Sequence, residues 1–107
     1  MRTQSLSLAL GALLLAPLAL AAPEGESVYQ DNCAMCHSGG GGAPTVGDTK
    51  TWQHLVESHG MDTLYDNAIK GVGGMPAKGG NSSLSEAQVK AAVEYMVGQS
   101  GVELPSQ

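Results

Sequence analysis

Phenylalanine is absent from this 107-residue chain, and aromatic residues make up 4% of it: Trp52, Tyr29, Tyr65 and Tyr95. A single domain of this size buries a modest fraction of its surface and is marginal without a staple. With so few large rings, something other than aromatic side chains must fill its middle. Basic residues are scarce as well, Arg2 and four lysines standing against ten Asp and Glu. That balance excludes a nucleic-acid binder, whose affinity rests on basic patches. Cysteine is limited to Cys33 and Cys36, and a disulfide closing so short a loop would add little stability. No internal repeat is present. Glycine is the residue in excess, at 15.

What is there begins with an export pattern. Met1-Arg2-Thr3-Gln4 carries one positive charge, and Leu6 to Leu20 is an apolar run of Leu and Ala broken by Ser7, Gly11 and Pro17. Ala19-Leu20-Ala21 supplies the small residues a signal peptidase cleaves after. The run is short for a membrane span, which takes about 20 residues. Residues 1–21 therefore read as a cleaved secretory signal and residues 22–107 as one domain, with an uncleaved anchor as the alternative. No Cys stands at the cleavage point, which argues against a lipoprotein. The exported domain keeps four Lys and all ten acidic residues, a net charge of −6.

Helical patterns separated by Gly-rich loops make the domain all-α. The first runs from about Glu24 to the Cys pair, where Gly39 to Gly42 and Pro44 oppose any regular element. Short helices are expected over Thr51–Ser58, with Asp48 or Thr49 at the start, and over Asp62–Lys70, with Gly60 between them. In the latter, Leu64 and Ala68 share one face, as do Tyr65 and Ile69. Ser85-Glu86-Ala87-Gln88 is a capping box, with Leu84 and Val89 placed as a hydrophobic staple. Val89, Ala92, Val93, Met96 and Val97 continue as an amphipathic stripe that Gly98 stops. Val72, isolated among glycines, does not make a strand.

Cys33-Ala34-Met35-Cys36-His37 carries the chemistry. Two thiols three positions apart can each add across a vinyl group of one haem, and the adjacent His then reaches the iron. A zinc site would need further ligands, and His54 and His59 are all that remain. A redox dithiol of thioredoxin type would need βαβ segments, which are absent from the pattern. For the sixth iron ligand the candidates are Met35, Met61, Met75, Met96, His54 and His59. Met35 is confined to the attachment loop and Met96 belongs to the last helix's apolar stripe. Met75 stands in Gly71-Val72-Gly73-Gly74-Met75-Pro76, where Pro76 disfavours helix and the glycines permit close backbone approach to a flat ring. Met75 is the preferred ligand, with a bis-His arrangement through His54 or His59 as the alternative.

The domain resembles the class I cytochromes c, and among them the small bacterial c5-type group. The resemblance lies in Cys33 to His37, Gly41-Gly42-Ala43-Pro44 with Val46-Gly47-Asp48, Met75-Pro76-Ala77-Lys78-Gly79-Gly80, and Ala91 to Met96. It implies a fold of about four helices wrapped around one covalent haem c. It also implies that Gly25 and Tyr29 meet Tyr95 where the first and last helices cross. By the same resemblance, the Pro44 carbonyl would accept a hydrogen bond from His37 Nδ1. Trp52 would pack by the haem and could donate its indole N–H to a propionate, and Lys78 would lie near the haem edge. Several c5-type proteins carry a second Cys pair after the Met loop. Here that stretch is Asn81-Ser82-Ser83, so the Met75 loop lacks that restraint. With His37 and Met75 on the iron, the expectation is a monomeric periplasmic one-electron carrier and not an enzyme. Its partners would be a quinol-oxidising complex or dehydrogenase on one side and a terminal oxidase or reductase on the other. A ligand-binding or peroxidatic haem protein, or a dedicated subunit of one complex, are the rivals.

Overall fold

The computed structural model describes residue 11 and residues 24–105, so the expected signal segment, 1–21, lies outside the described residues apart from Gly11. Four helices follow in order: α1 Gly25–Asn32, α2 Ala34–His37, α3 Thr49–Lys70 and α4 Glu86–Gln99. A 3₁₀ turn, Ala77–Gly80, precedes α4. Among the described residues the nearest thing to a strand is one antiparallel bridge, Val72 with Met75.

Each boundary has a local cause. The Asp48 side chain accepts from the Thr51 N–H and opens α3. At α4, Ser85 Oγ accepts from the Gln88 N–H at 3.1 Å while Gln88 Oε1 accepts from the Ser85 N–H at 2.8 Å, the reciprocal box expected from the sequence. The two short helices expected around Gly60 are both present: the run Thr49–Lys70 is interrupted at Gly60, whose φ of 78° and ψ of 159° are not helical. An L-residue rarely holds that angle, so glycine permits the bend. At the other end, the first helix does not stop at the Cys pair. It breaks at Cys33 and continues for one turn as α2, which ends at His37.

Helices α1 and α4 cross tightly. A Cβ on Gly25 would run into the Ala91 carbonyl and stand 3.1 Å from Tyr95 Cβ, so the backbones approach as closely as a missing side chain allows. Beside this contact the Tyr29 and Tyr95 rings lie 5.4 Å apart, tilted by 42°. Helix α3 packs on the other side of α4, where Tyr65 Oη donates to Glu94 at 2.7 Å and Lys90 Nζ sits 5.7 Å above the Tyr65 ring. Val97 and Ser100 are the most deeply buried side chains, at the end of α4.

The Met75 loop is restrained without a second Cys pair. Val72 and Met75 exchange both backbone hydrogen bonds across Gly73-Gly74. Asn81 Nδ2 donates to Asn32 Oδ1 on α1 at 2.9 Å, and a Cβ on Gly79 would collide with the Asn32 carbonyl. Lys78, the one described non-glycine residue with positive φ (55°), donates its ammonium to the Leu84 carbonyl at 2.8 Å. Hydrogen bonds to α1 and within the loop thus hold a segment that has no cysteine to bridge.

Candidate functional site

The helices and the two Gly-rich loops enclose a cavity of about 500 Å³, within the size range of cofactor sites. The Val89, Ala92, Val93 and Met96 stripe of α4 forms one wall, and Leu64 and Ala68 of α3, the i, i+4 pair noted above, form another. The amphipathic faces read from the sequence therefore point at this cavity as much as at each other. Cys33, Cys36, His37, Pro44, Trp52 and Met75, far apart in the chain, all line it. Of the other candidate ligands only Met96 reaches the cavity, from the buried face of α4. Met35 is 92% exposed. His54 and His59 lie on the exposed face of α3, His54 in contact with Ser58 Oγ.

His37 is buried at the end of α2, and its Nδ1 lies 2.8 Å from the Pro44 carbonyl. A carbonyl only accepts, so Nδ1 carries the proton and Nε2 keeps its lone pair for a metal. The segment holding that carbonyl is fastened at four successive residues. Pro44 accepts from His37, Thr45 accepts from the Trp52 indole at 2.9 Å, and Val46 N–H donates to the His37 carbonyl at 2.8 Å. Gly47 N–H donates to Ser100 Oγ at 2.9 Å, and Ser100 in turn donates to the Met96 carbonyl. Trp52 packs by the site as expected, its ring 6.0 Å from that of His37. Its indole N–H, however, is committed to Thr45 and not to a propionate. Lys78 likewise differs from a free surface charge, being half-buried on the cavity wall and bonded to Leu84.

Cys33 and Cys36 are unbridged thiols, Cys33 half-buried and Cys36 exposed. Burial pushes the Cys33 thiol up, and the charge of Cys36 adds to the shift. Among the described residues no three His, Cys, Asp or Glu side chains gather to hold a metal ion, which removes the zinc alternative there. Two thiols, one ligating imidazole nitrogen and an apolar enclosure fit a covalently held porphyrin. Neither Ser100 nor Thr45 was legible beforehand, because their partners lie 53 and 7 positions away and nothing in a lone Ser or Thr points to either.

Comparison with known proteins agrees. Residues 20–96 match the family model described as cytochrome c oxidase, cbb3-type, subunit III. The chain is 47% identical to cytochrome c-555 of Chlorobaculum tepidum over 92% of its length and 97% of that protein's. It belongs to the small class I cytochromes c. Cytochrome c5 of Ectopseudomonas mendocina is 32% identical over 68% of the chain and 86% of that protein. Among solved structures, a chain in the crystal structure of an electron transfer complex of nitrite reductase with cytochrome c superposes with a TM-score of 0.67. It is 38% identical, covering 73% of this chain and 95% of that one. The cytochrome is thus an electron carrier and not an enzyme, and its cofactor is a covalently bound haem c. No helix among the described residues is long and apolar enough to cross a membrane.

Proposed function

We propose that this cytochrome holds its haem through thioethers from Cys33 and Cys36, with His37 and Met75 as the axial ligands. Each thiol adds across one vinyl group, sulfur to one carbon and hydrogen to its neighbour, so attachment consumes no oxidant. Bound in this way, haem supplies the one-electron ferric–ferrous couple. Everything else is the work of the chain. The Pro44 carbonyl orients the His37 ring and raises its basicity. The Val72–Met75 hydrogen bonds and the Asn81–Asn32 bond restrain the methionine loop. The apolar walls exclude water, which with His/Met ligation raises the reduction potential relative to a bis-His site.

The observation that carries this reading is the common cavity, which both cysteines, His37 and Met75 line while His54 and His59 do not. With His37 and Met75 both holding the iron, the haem would supply outer-sphere transfer of single electrons. The carrier would work in the periplasm after cleavage near Ala21, between a quinol-oxidising complex or dehydrogenase and a terminal oxidase or reductase. The nitrite reductase complex of its structural neighbour supports the reductase side. The cbb3-type description of the matching family favours a second reading, a dedicated subunit of one complex. Against it stands the near-complete coverage of cytochrome c-555, a relative of similar length. Co-purification with one partner at high salt would decide for the subunit.

The test is the visible spectrum of protein matured with the haem-attachment machinery. Sharp reduced c-type bands and a weak far-red sulfur-to-iron band in the oxidised form are expected, the latter disappearing in Met75→Ala. A far-red band that survives this substitution would remove Met75 from the iron. The mass of the purified protein reports both the haem and the cleavage point.

A further inference from the structure

Hydrogen-bond donors on the cavity wall are few, and most are already bonded to the protein. The Trp52 indole N–H is held by the Thr45 carbonyl and the Lys78 ammonium by the Leu84 carbonyl. The Asn32 amide donates to the Val28 carbonyl at 3.0 Å and accepts from Asn81. His37 is turned onto Pro44. Asn67 of α3 differs from all of these. It lines the same cavity, yet its side-chain amide has no hydrogen-bond partner among the described residues. Only its backbone carbonyl is engaged, accepting from the Gly71 N–H at 2.8 Å.

Folding does not call for asparagine at this position. Leu64 and Ala68 make the apolar wall around it, and either residue type would serve the helix better. An Asn in mid-helix ordinarily turns to solvent or bonds back to its own helix. Asn67 is half-buried on the cavity wall, and its amide makes no such bond. The charges beside it, Asp66 and Lys70, are exposed and paired with each other at 2.8 Å. The amide therefore stands at the cavity border as a neutral donor. It lies one turn before the methionine loop, where a Cβ on Gly71 would stand 2.9 Å from the Met75 carbonyl.

Resting on the reading that the cavity holds the haem, we propose that the Asn67 amide is the side-chain donor to a haem propionate, the role that the family resemblance gave to Trp52. A carboxylate brought against an apolar wall loses water and needs a donor in its stead. An amide N–H supplies one without adding charge, and a hydrogen bond to the ionised form keeps a carboxyl acidic. The ionisable side chains in the cavity lining are Cys33, Cys36, His37 and Lys78, and α1, α3 and α4 supply none. The first three belong to the haem in the same reading, and Lys78 is held at Leu84. An ionised carboxylate near the iron favours the ferric state, so Asn67 sets the pH at which the reduction potential begins to fall.

The test begins with the spectrum, since protein without a c-type haem or its far-red band would fail the underlying reading before Asn67 is examined. Cells supplied with aminolevulinic acid carrying an isotopic label in its carboxyl carbon make haem labelled at both propionate carboxyls. Carbon NMR of the reduced protein then follows each carboxyl through a pH titration. One of the two is expected to titrate about one pH unit below the other. In Asn67→Leu, close in size and unable to donate, that carboxyl should rise by about the same amount. The fall of the reduction potential should move to higher pH with it.

Asn67→Asp sets a second carboxylate against the first and should raise it further than Asn67→Leu does, which a merely structural role would not produce. Asn67→Ser, smaller but still a donor, should restore part of the difference between the two carboxyls. Carboxyls that titrate together in the unaltered protein, or titrations that no substitution moves, would overturn the proposal. So would a far-red band that shifts or fades in Asn67→Leu while both carboxyls keep their titrations. That result would assign the amide to the Met75 sulfur.

Discussion

Ser100 shows how much of the site depends on one side chain remote from the conserved-looking motif chemistry of Cys33 to His37. It is 1% exposed, and its hydroxyl both donates and accepts. Ser100→Ala leaves the Gly47 N–H without its acceptor, and because Gly47 is exposed and water can take the hydroxyl's place, the cost is about 0.5–1.5 kcal/mol, the net worth of one hydrogen bond. Chemical denaturation measures that loss. Because Gly47 is three residues from Pro44, the His37–Pro44 hydrogen bond should slacken too. A less basic imidazole stabilises ferric iron less, so the reduction potential should rise, which a packing defect elsewhere in α4 would not cause. Trp52 carries a related lesson. Its place beside the site was legible from the family resemblance, but its donor goes to the Thr45 carbonyl, a partner set by the path of the loop.

Among the elements, the α1–α4 crossing is the contact most sensitive to a single change. Gly25→Val would drive side-chain atoms into the Ala91 carbonyl, and the helices would have to separate. Overpacking of this kind costs about 1–3 kcal/mol, readable as a lowered denaturation midpoint. The start of α3 responds to pH. Hydrogen bonds from the Thr51 hydroxyl and N–H hold the Asp48 carboxyl below its usual value. A depressed carboxylate contributes stability that is present above the unfolded pKa and lost as pH falls through the folded one. Acid unfolding should therefore be partly suppressed in Asp48→Asn, whose cap does not titrate, when thermal scans at pH 5 and pH 2 are compared. The capping box at Ser85 and the break between the two middle helices at Gly60 were readable directly, since capping is a relation among residues three apart and glycine alone holds that angle freely. The expected stop at Gly98 was not met: α4 runs through it to Gln99 and is capped at Ser100.

For the whole molecule, the cavity explains the poverty of aromatic residues. Leu64, Ala68, Val89 and Val93 are small or medium side chains arranged around a space they do not fill. Without haem those walls have nothing to pack against, and a small domain with so little other core has no reserve. The double variant Cys33→Ala/Cys36→Ala, which cannot attach the cofactor, is expected to lose cooperative thermal unfolding. A sharp transition with native helical signal in that variant would show that the chain folds on its own.

The amino-acid sequence by itself determined the cofactor chemistry and the helical class. Thiol spacing, an adjacent imidazole, caps and amphipathic periods act over a few residues and leave their mark in linear order. The tertiary structure decided what those marks could not encode. It committed the Trp52 indole to Thr45, turned Lys78 onto Leu84, and tied Gly47 to Ser100 across 53 positions. It also tied the Met75 loop, expected from the sequence to lack a restraint, to α1 through the Asn81–Asn32 bond. Each is a pairing between groups distant in sequence or free to choose among several acceptors, and only the packed backbone selects one of them.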